Sequence, residues 1–287
     1  MWLMALFTFR EAWRKKVVLV AGVLTFAFLI VYGTGLHFAS NPVNLADPAV
    51  VIFHDTMQTI TLFVMGVYLA GFLVAGLSIL AAVGSIAGEI ENGTLYPLAV
   101  RPLLRRDLLL GKYMGLAAML ITYAALLFLA LTGLVYWQTG LALPGLAPAL
   151  GLFILQPLVL LSITVLGTTK LTTLGNGVLV FGLYALAVAG GMMEQIGVML
   201  ESTAAVYTGV LTSFILPSDA VYRRLVATVV ARIHPGSGQD FTLLNPQMIL
   251  GPFGSQSTPS DWMLVYTFVY IVFLLAIAVR TFNRRDI

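Results

Sequence analysis

The sequence contains no cysteine and very little charge. Without cysteine, the chain has no disulfide, no thiolate metal site and no cysteine nucleophile. Charged residues make up only 9% of the 287 positions, whereas soluble domains carry about 25%. Apolar residues instead reach 60% of the chain. This balance excludes an ordinary soluble domain and indicates an integral membrane protein.

Six apolar runs are long enough to cross a hydrocarbon core of about 30 Å as helices, which rise about 1.5 Å per residue. The apolar stretch 204–216 is too short for a full crossing and predicts a re-entrant or interfacial helix. Residues 1–16 alternate apolar and charged positions at helical spacing, which predicts an amphipathic interfacial helix or an extension of the first span. We therefore predict an all-α polytopic protein with a single transmembrane domain over residues 1–287. The six predicted spans are approximately 16–39, 59–87, 113–136, 147–168, 177–193 and 263–279.

The distribution of basic residues predicts the orientation. All but three of the 15 lysines and arginines fall on one side of a six-span topology. By the positive-inside rule that side is cytoplasmic, so both termini are predicted in the cytoplasm of a plasma (inner) membrane protein. The exceptions, Arg223, Arg224 and Arg232, lie in the segment 194–262, which is predicted outside and is long enough to be largely exempt from the rule. The net charge of +3 sits at membrane edges near anionic lipids and does not indicate nucleic-acid binding.

Residues that could carry chemistry are scarce. The sequence has no phosphate-binding G-x-x-x-x-G-K-S/T loop, since the Gly-Lys pair at 111–112 is followed by Tyr113. His37, His54 and Asp55, near the outer ends of spans, could form a metal or acid–base cluster, but scattered histidines without metal-ligand spacing are more often polar residues of the interface. We therefore predict neither catalytic residues nor a metal site on this chain.

The stretch 88–112 is the polar interruption with the most ordered pattern. Acidic residues end span two, a turn follows at 92–93, and Thr94 can cap a short helix that stops at 101–102. A second helix start at Asp107 leads into span three. The stretch therefore predicts a folded elbow between two spans.

The short helix of this elbow is apolar. Leu95, Tyr96 and Leu98 would be exposed in a connector on the cytoplasmic side, and such residues need lipid or protein to cover them. The alternative is a solvated connector whose charges only set the topology, because charge runs at span ends are common. Composition alone leaves these two interpretations open.

The order of residues in the elbow resembles the signature between spans two and three of type 2 ATP-binding-cassette (ABC-2) transporter permeases. One departure is Asn92, where many relatives have a basic residue. A second resemblance, to a segment between spans five and six, is carried by Leu216-Pro217-Ser218-Asp219-Ala220-x-Tyr222-Arg223. The elbow signature reads Glu89-x-Glu91-x-Gly93-Thr94, then Arg101-Pro102-x-x-Arg105, then Gly111-Lys112.

The resemblance implies a permease subunit of an ABC exporter, paired with a second permease subunit as a homodimer rather than a heterodimer. It implies that the elbow is a coupling helix held in a cleft of separate ATP-binding-cassette ATPase subunits. ATP and Mg²⁺ would then be bound by those subunits, and this chain would carry no cofactor and no catalytic activity. The implied coupling residues are Glu89, Glu91, Gly93, Thr94, Leu95, Tyr96, Leu98, Arg101, Pro102, Arg105, Gly111 and Lys112.

The segment between spans five and six offers further candidates. Glu194 and Glu201 border span five and either line an exit path or lie solvated at the headgroup level. After Ser218, apolar positions share one helical face with Arg223 and Arg224 off it. This amphipathic helix is predicted to lie on the outer leaflet or to cap the translocation path.

Two other classes of function stay open. An ATP-independent secondary carrier or channel usually shows inverted repeats or ionisable groups near mid-membrane, and no acid or base falls at the centre of a predicted span. A membrane-embedded enzyme would need a nucleophile, an acid pair or a metal set at one depth. Association with an ATPase is expected of the permease and not of the carrier, the channel or the enzyme.

Overall fold

A computed structural model describes residues 2–39, 48–91, 105–231, 250 and 253–284 of the chain. Over these residues the protein forms nine α-helices and no β-strand, which confirms the predicted all-α class. The helices are α1 (Trp2–Arg14), α2 (Lys16–Ala39), α3 (Pro48–Glu91), α4 (Arg105–Thr139), α5 (Leu146–Thr168), α6 (Thr173–Met199), α7 (Thr203–Ile215), α8 (Ser218–Val230) and α9 (Asp261–Asn283).

Six of these helices, α2 to α6 and α9, are long and apolar enough to cross a membrane, as predicted. Four of them, α3, α4, α6 and α9, exceed their predicted spans at both ends, and the longest, α3 with 44 residues and α4 with 35, extend about 66 and 52 Å. The predicted spans ended where apolar residues gave way to polar ones. A helix satisfies its own backbone hydrogen bonds, so it continues from lipid into polar surroundings without a break.

The centre of the bundle is formed by α3, α4 and α5. Each contributes one phenylalanine to a buried row, in which the ring centroids of Phe63 and Phe128 are 6.2 Å apart and those of Phe128 and Phe153 are 5.4 Å apart. By contrast, α2 and α9 lie at the periphery and leave most of their apolar side chains exposed. In a bilayer such faces meet lipid tails, which are as apolar as the side chains themselves. Helices α1, α6 and α8 also contact the three central helices, whereas α7 packs mainly against α6.

Helix α1 packs against α4 through small side chains. Ala5, Thr8 and Ala12 are its buried residues. Gly115 of α4 makes the close approach possible, because a Cβ there would lie 2.6 Å from both the Ala5 carbonyl oxygen and Thr8 Cβ. A break at Lys15 separates α1 from α2. The N-terminal segment is therefore a packed helix of its own, not an extension of the first span.

Replacing Gly115 with alanine is expected to loosen α1 from α4. The added methyl group meets α1 backbone, which cannot rotate away as a flexible side chain could. We expect a lower melting temperature and faster thiol labelling of a cysteine introduced at Thr8, in a chain with no cysteine of its own. Gly133→Ala is the matched control on α4, since a Cβ there meets nothing within 4 Å and alanine favours a helix by about 0.5–1 kcal/mol. Equal labelling in both variants would contradict the α1 packing.

Helices α7 and α8 form a pair bent by 109°. The chain reverses after α6, where the Ser202 N–H donates to the Gly197 carbonyl over 2.8 Å, and α7 runs back along α6. The tip of the pair reaches α9: the hydroxyls of Tyr266 and Tyr270 donate to the carbonyls of residues 214 and 215 over 2.6 and 2.8 Å. These carbonyls belong to the last turn of α7, where no further turn of helix supplies donors.

From this tip α8 turns back toward the start of α9. Arg224 pairs with Asp261, the first residue of α9, and donates to the Pro259 carbonyl over 3.1 Å. The pair thus starts beside the end of α6 and returns to the beginning of α9, as either a re-entrant loop or a broken span would. We call α7 and α8 together the hairpin.

The position of α8 differs from the expectation of a helix on the outer leaflet or over the path. Eleven of its 13 residues are buried, packed mainly against α5. Arg223, expected off the apolar face, is itself 97% buried, since 3% of the residue is exposed. The reason is that acidic side chains meet it inside the bundle, so the helix needs no solvent on its charged face.

Candidate functional site

The two flanks of the elbow are helical. Helix α3 continues to Glu91 and carries Glu89, and α4 begins at Arg105. Asp107 lies in the first turn of α4 instead of capping it from outside, and a carboxylate there is favoured by the helix dipole. The remaining coupling residues fall outside the described part of the chain: Gly93, Thr94, Leu95, Tyr96, Leu98, Arg101 and Pro102.

Lys112 connects these two flanks. It follows Gly111 in α4, is only 6% exposed, and donates from Nζ to the Ser85 carbonyl of α3 over 2.8 Å. A charged donor makes the stronger kind of hydrogen bond, and burial shields it from competing water. The helices on either side of the elbow are therefore joined close to its base.

A second site lies between α6 and the hairpin formed by α7 and α8. Arg223 of α8 contacts two carboxylates: its Nη1 lies 2.6 Å from Glu194 Oε1 of α6, and its Nε lies 3.0 Å from Asp219 Oδ2. The three side chains are 3%, 4% and 8% exposed, respectively. We call Glu194, Asp219 and Arg223 the buried charge cluster. Its charged groups join two elements that are well separated in sequence.

Neighbouring hydroxyls complete the coordination of the cluster. Arg223 Nη2 donates to Ser213 Oγ of α7 over 2.9 Å, and the Ser257 hydroxyl donates to Glu194 Oε1. The cluster thus ties together α6, α7, α8 and the segment before α9. Because all four meet at one guanidinium, that group controls how the hairpin is seated.

The cluster fits because α6 has a glycine opposite it. A Cβ at Gly191 would overlap the carboxylate of Asp219, so the absence of a side chain lets α8 bring its acid directly against the α6 backbone. Small residues at such helix contacts are typical of membrane proteins.

The buried charge cluster was missed in the sequence. Glu194 was expected at an exit path or solvated, and the structure buries it in an ion pair. Arg223 was treated as an exception to the charge rule. One signal was available, because Asp219 and Arg223 have the four-residue spacing that puts opposite charges on one helix face. The partner from α6 has no such local signal.

The other candidates are not gathered into a site. Glu201 is exposed in the turn after α6, with a positive φ of 53°. His54 Nδ1 lies 3.5 Å from Asp55 Oδ1 on the exposed start of α3, and His37 ends α2. Within the part of the chain that the structure describes, no three His, Cys, Asp or Glu side chains come together as metal ligands.

The fold and the elbow flanks agree with the comparison to known families. A family described as ABC-2 family transporter protein matches residues 2–287, essentially the whole chain. No curated protein matches it. A match of this extent, together with six helices that are long and apolar enough to cross a membrane, shows the family. The chain therefore belongs to the ABC-2 transporter family, as a multi-pass permease component of an ABC transporter.

Proposed function

We propose that this chain is the membrane subunit of an ATP-driven exporter and forms the translocation path as a homodimer. Separate ATPase subunits, which bind ATP and Mg²⁺, hold the elbow 88–112 in a cleft. The elbow and both termini lie in the cytoplasm of a plasma (inner) membrane protein.

The observation that carries this proposal is the pair of continuous helices that enter the elbow. Helix α3 reaches Glu91 and α4 starts at Arg105, and the Lys112 to Ser85 hydrogen bond joins them at the base. Both helices contribute to the central core through Phe63 and Phe128. A displacement of the elbow would therefore be transmitted as a rigid-body movement to the middle of the bundle.

The size of the required energy decides which elbow residues do the coupling. Shifting a two-state permease from mostly one conformation to mostly the other takes about 5.5 kcal/mol of differential binding. Exposed ion pairs contribute only about 0–1 kcal/mol each. Charges such as Glu89 are therefore too weak alone, and burial of Leu95, Tyr96 and Leu98 in the ATPase cleft must supply much of the difference.

Tyr96→Ala is expected to uncouple the complex more severely than Glu89→Gln. Each variant would be purified with its ATPase and assayed for ATP hydrolysis and for ATP-driven movement of the hairpin. A cysteine at the exposed Tyr207 of α7 reports that movement as a change in thiol-labelling rate. We expect Tyr96→Ala to hydrolyse ATP without the labelling change. Equal or reversed effects of the two substitutions contradict the apolar coupling, and failure of any ATPase to copurify contradicts the proposal itself.

One observation favours the alternative of an ATP-independent carrier. Secondary carriers use ionisable groups that face the interior of the helix bundle, and the buried charge cluster contains such groups. The copurification experiment separates the two functions, since a carrier needs no ATPase for its activity.

A further inference from the structure

The buried charge cluster contains two acids and one base. Glu194 and Asp219 each carry one negative charge when ionised, and Arg223 carries one positive charge. An arginine in a protein is not deprotonated, so the cluster with both acids ionised has a net charge of minus one. An uncompensated buried charge costs several kcal/mol, and such groups usually neutralise.

The surrounding residues do not supply the missing positive charge. The other titratable side chains close to Asp219 are Tyr68 of α3, Tyr184 of α6 and Tyr222 of α8, which are neutral at neutral pH. From α7 and the segment before α9 come the hydroxyls of Ser213 and Ser257. The nearby Arg224 is engaged with Asp261 instead. Among the described residues, no second cation faces the cluster.

The hydrogen bonding within the site is also incomplete. Glu194 Oε2 is buried without a hydrogen-bond partner, although Oε1 of the same carboxylate bonds both Arg223 and Ser257. The adjacent Gln195 is 1% exposed and leaves its Nε2 without a partner, while its Oε1 accepts backbone N–H bonds from residues 256 and 257. An ionised carboxylate can accept about four hydrogen bonds, so burying one of its oxygens without a donor costs free energy.

We propose that the buried charge cluster binds one proton, shared between Glu194 and Asp219. The proton resides on a carboxyl oxygen of one acid while the other acid keeps its ion pair with Arg223. The cluster is then neutral, and no further cation is needed. This site is independent of the elbow and does not require an ATPase for its detection.

Infrared spectroscopy of the purified protein in an ester-free detergent tests the proposal directly. A protonated carboxyl group has a carbonyl stretching band that carboxylates and amides lack, and deuterium exchange shifts it. We expect one such band per chain at neutral pH, where exposed Asp and Glu are ionised. Absence of the band overturns the proposal, including the case in which a metal cation compensates the charge.

Two conservative variants assign the band. Glu194→Gln or Asp219→Asn leaves one acid facing Arg223, a neutral cluster that needs no proton, so each substitution alone is expected to abolish the band. Persistence of the band in either variant overturns the charge balance on which the proposal rests. Glu201→Gln is the matched control at the exposed acid beyond α6 and is expected to leave the band unchanged. The wild-type spectrum alone can overturn the proposal, so the test does not depend on whether the variants fold.

Discussion

Arg223→Met is expected to destabilise the protein by about 3–5 kcal/mol, the range observed when one partner of a buried ion pair is removed. Methionine keeps an unbranched apolar stem but leaves Glu194 and Asp219 without a cation. It also removes the donor to Ser213. The melting temperature of the detergent-solubilised protein is measured as the temperature at which heating abolishes its monodisperse peak in size-exclusion chromatography.

The neighbouring arginine provides the control. Arg224 pairs with Asp261, whose side chain is 83% exposed, and such pairs contribute about 0–1 kcal/mol. Arg224→Met is therefore expected to change the melting temperature little. Similar losses for both arginines would show that the cluster does not hold the hairpin.

A triple variant refines this prediction. When Arg223→Met is combined with Glu194→Gln and Asp219→Asn, no buried charge remains, and we expect most of the lost stability to return. Replacing a whole buried ion triad with well-packed hydrophobic residues is often neutral or stabilising, and the triple variant likewise leaves no uncompensated charge. A triple variant that melts as low as Arg223→Met alone would mean that hydrogen bonding from the guanidinium, and not charge balance, dominates.

Gly191→Ala is expected to have the second largest effect, about 1–3 kcal/mol, the usual cost of overpacking a well-packed contact. The added methyl group would overlap the Asp219 carboxylate, which is held by Arg223 and cannot move without breaking that pair. We expect a lower melting temperature and faster labelling of a cysteine at Ser213, as the hairpin is pushed away from α6.

Gly182→Ala on the same helix is the matched control. A Cβ at this position meets nothing within 4 Å, and replacing a helical glycine with alanine is favourable by about 0.5–1 kcal/mol. The two identical substitutions, nine positions apart in α6, are therefore expected to shift the melting temperature in opposite directions. A loss of stability in both variants would mean that the cause is alanine in α6 in general and not the contact between Gly191 and Asp219.

Composition was sufficient to predict the number of spans, because runs such as 16–39 and 147–168 are apolar throughout and lipid tolerates little else. The helical elbow flanks were predictable for the same local reason, since Glu91 and Arg105 border a segment with clear turn signals. These features depend on residues that are close together in the sequence, so hydrophobic periodicity and capping residues are enough to predict them.

The buried charge cluster depends on partners that are far apart in sequence. Glu194 and Arg223 are separated by the whole of α7, and no local pattern indicates that they meet. The same limit applies to Gly191, whose importance lies in the carboxylate opposite it. Charge near a span end is usually solvated, so the general rule favoured the surface for α8 over the interior that it occupies.

The two tyrosine hydroxyls of α9 restrict how this molecule can change shape. By donating to residues 214 and 215, Tyr266 and Tyr270 satisfy carbonyls that would otherwise face hydrocarbon, where no water replaces a lost donor. Moving the hairpin tip away from α9 would leave both carbonyls without a hydrogen-bond donor. The last span and the hairpin are consequently expected to move together as one body.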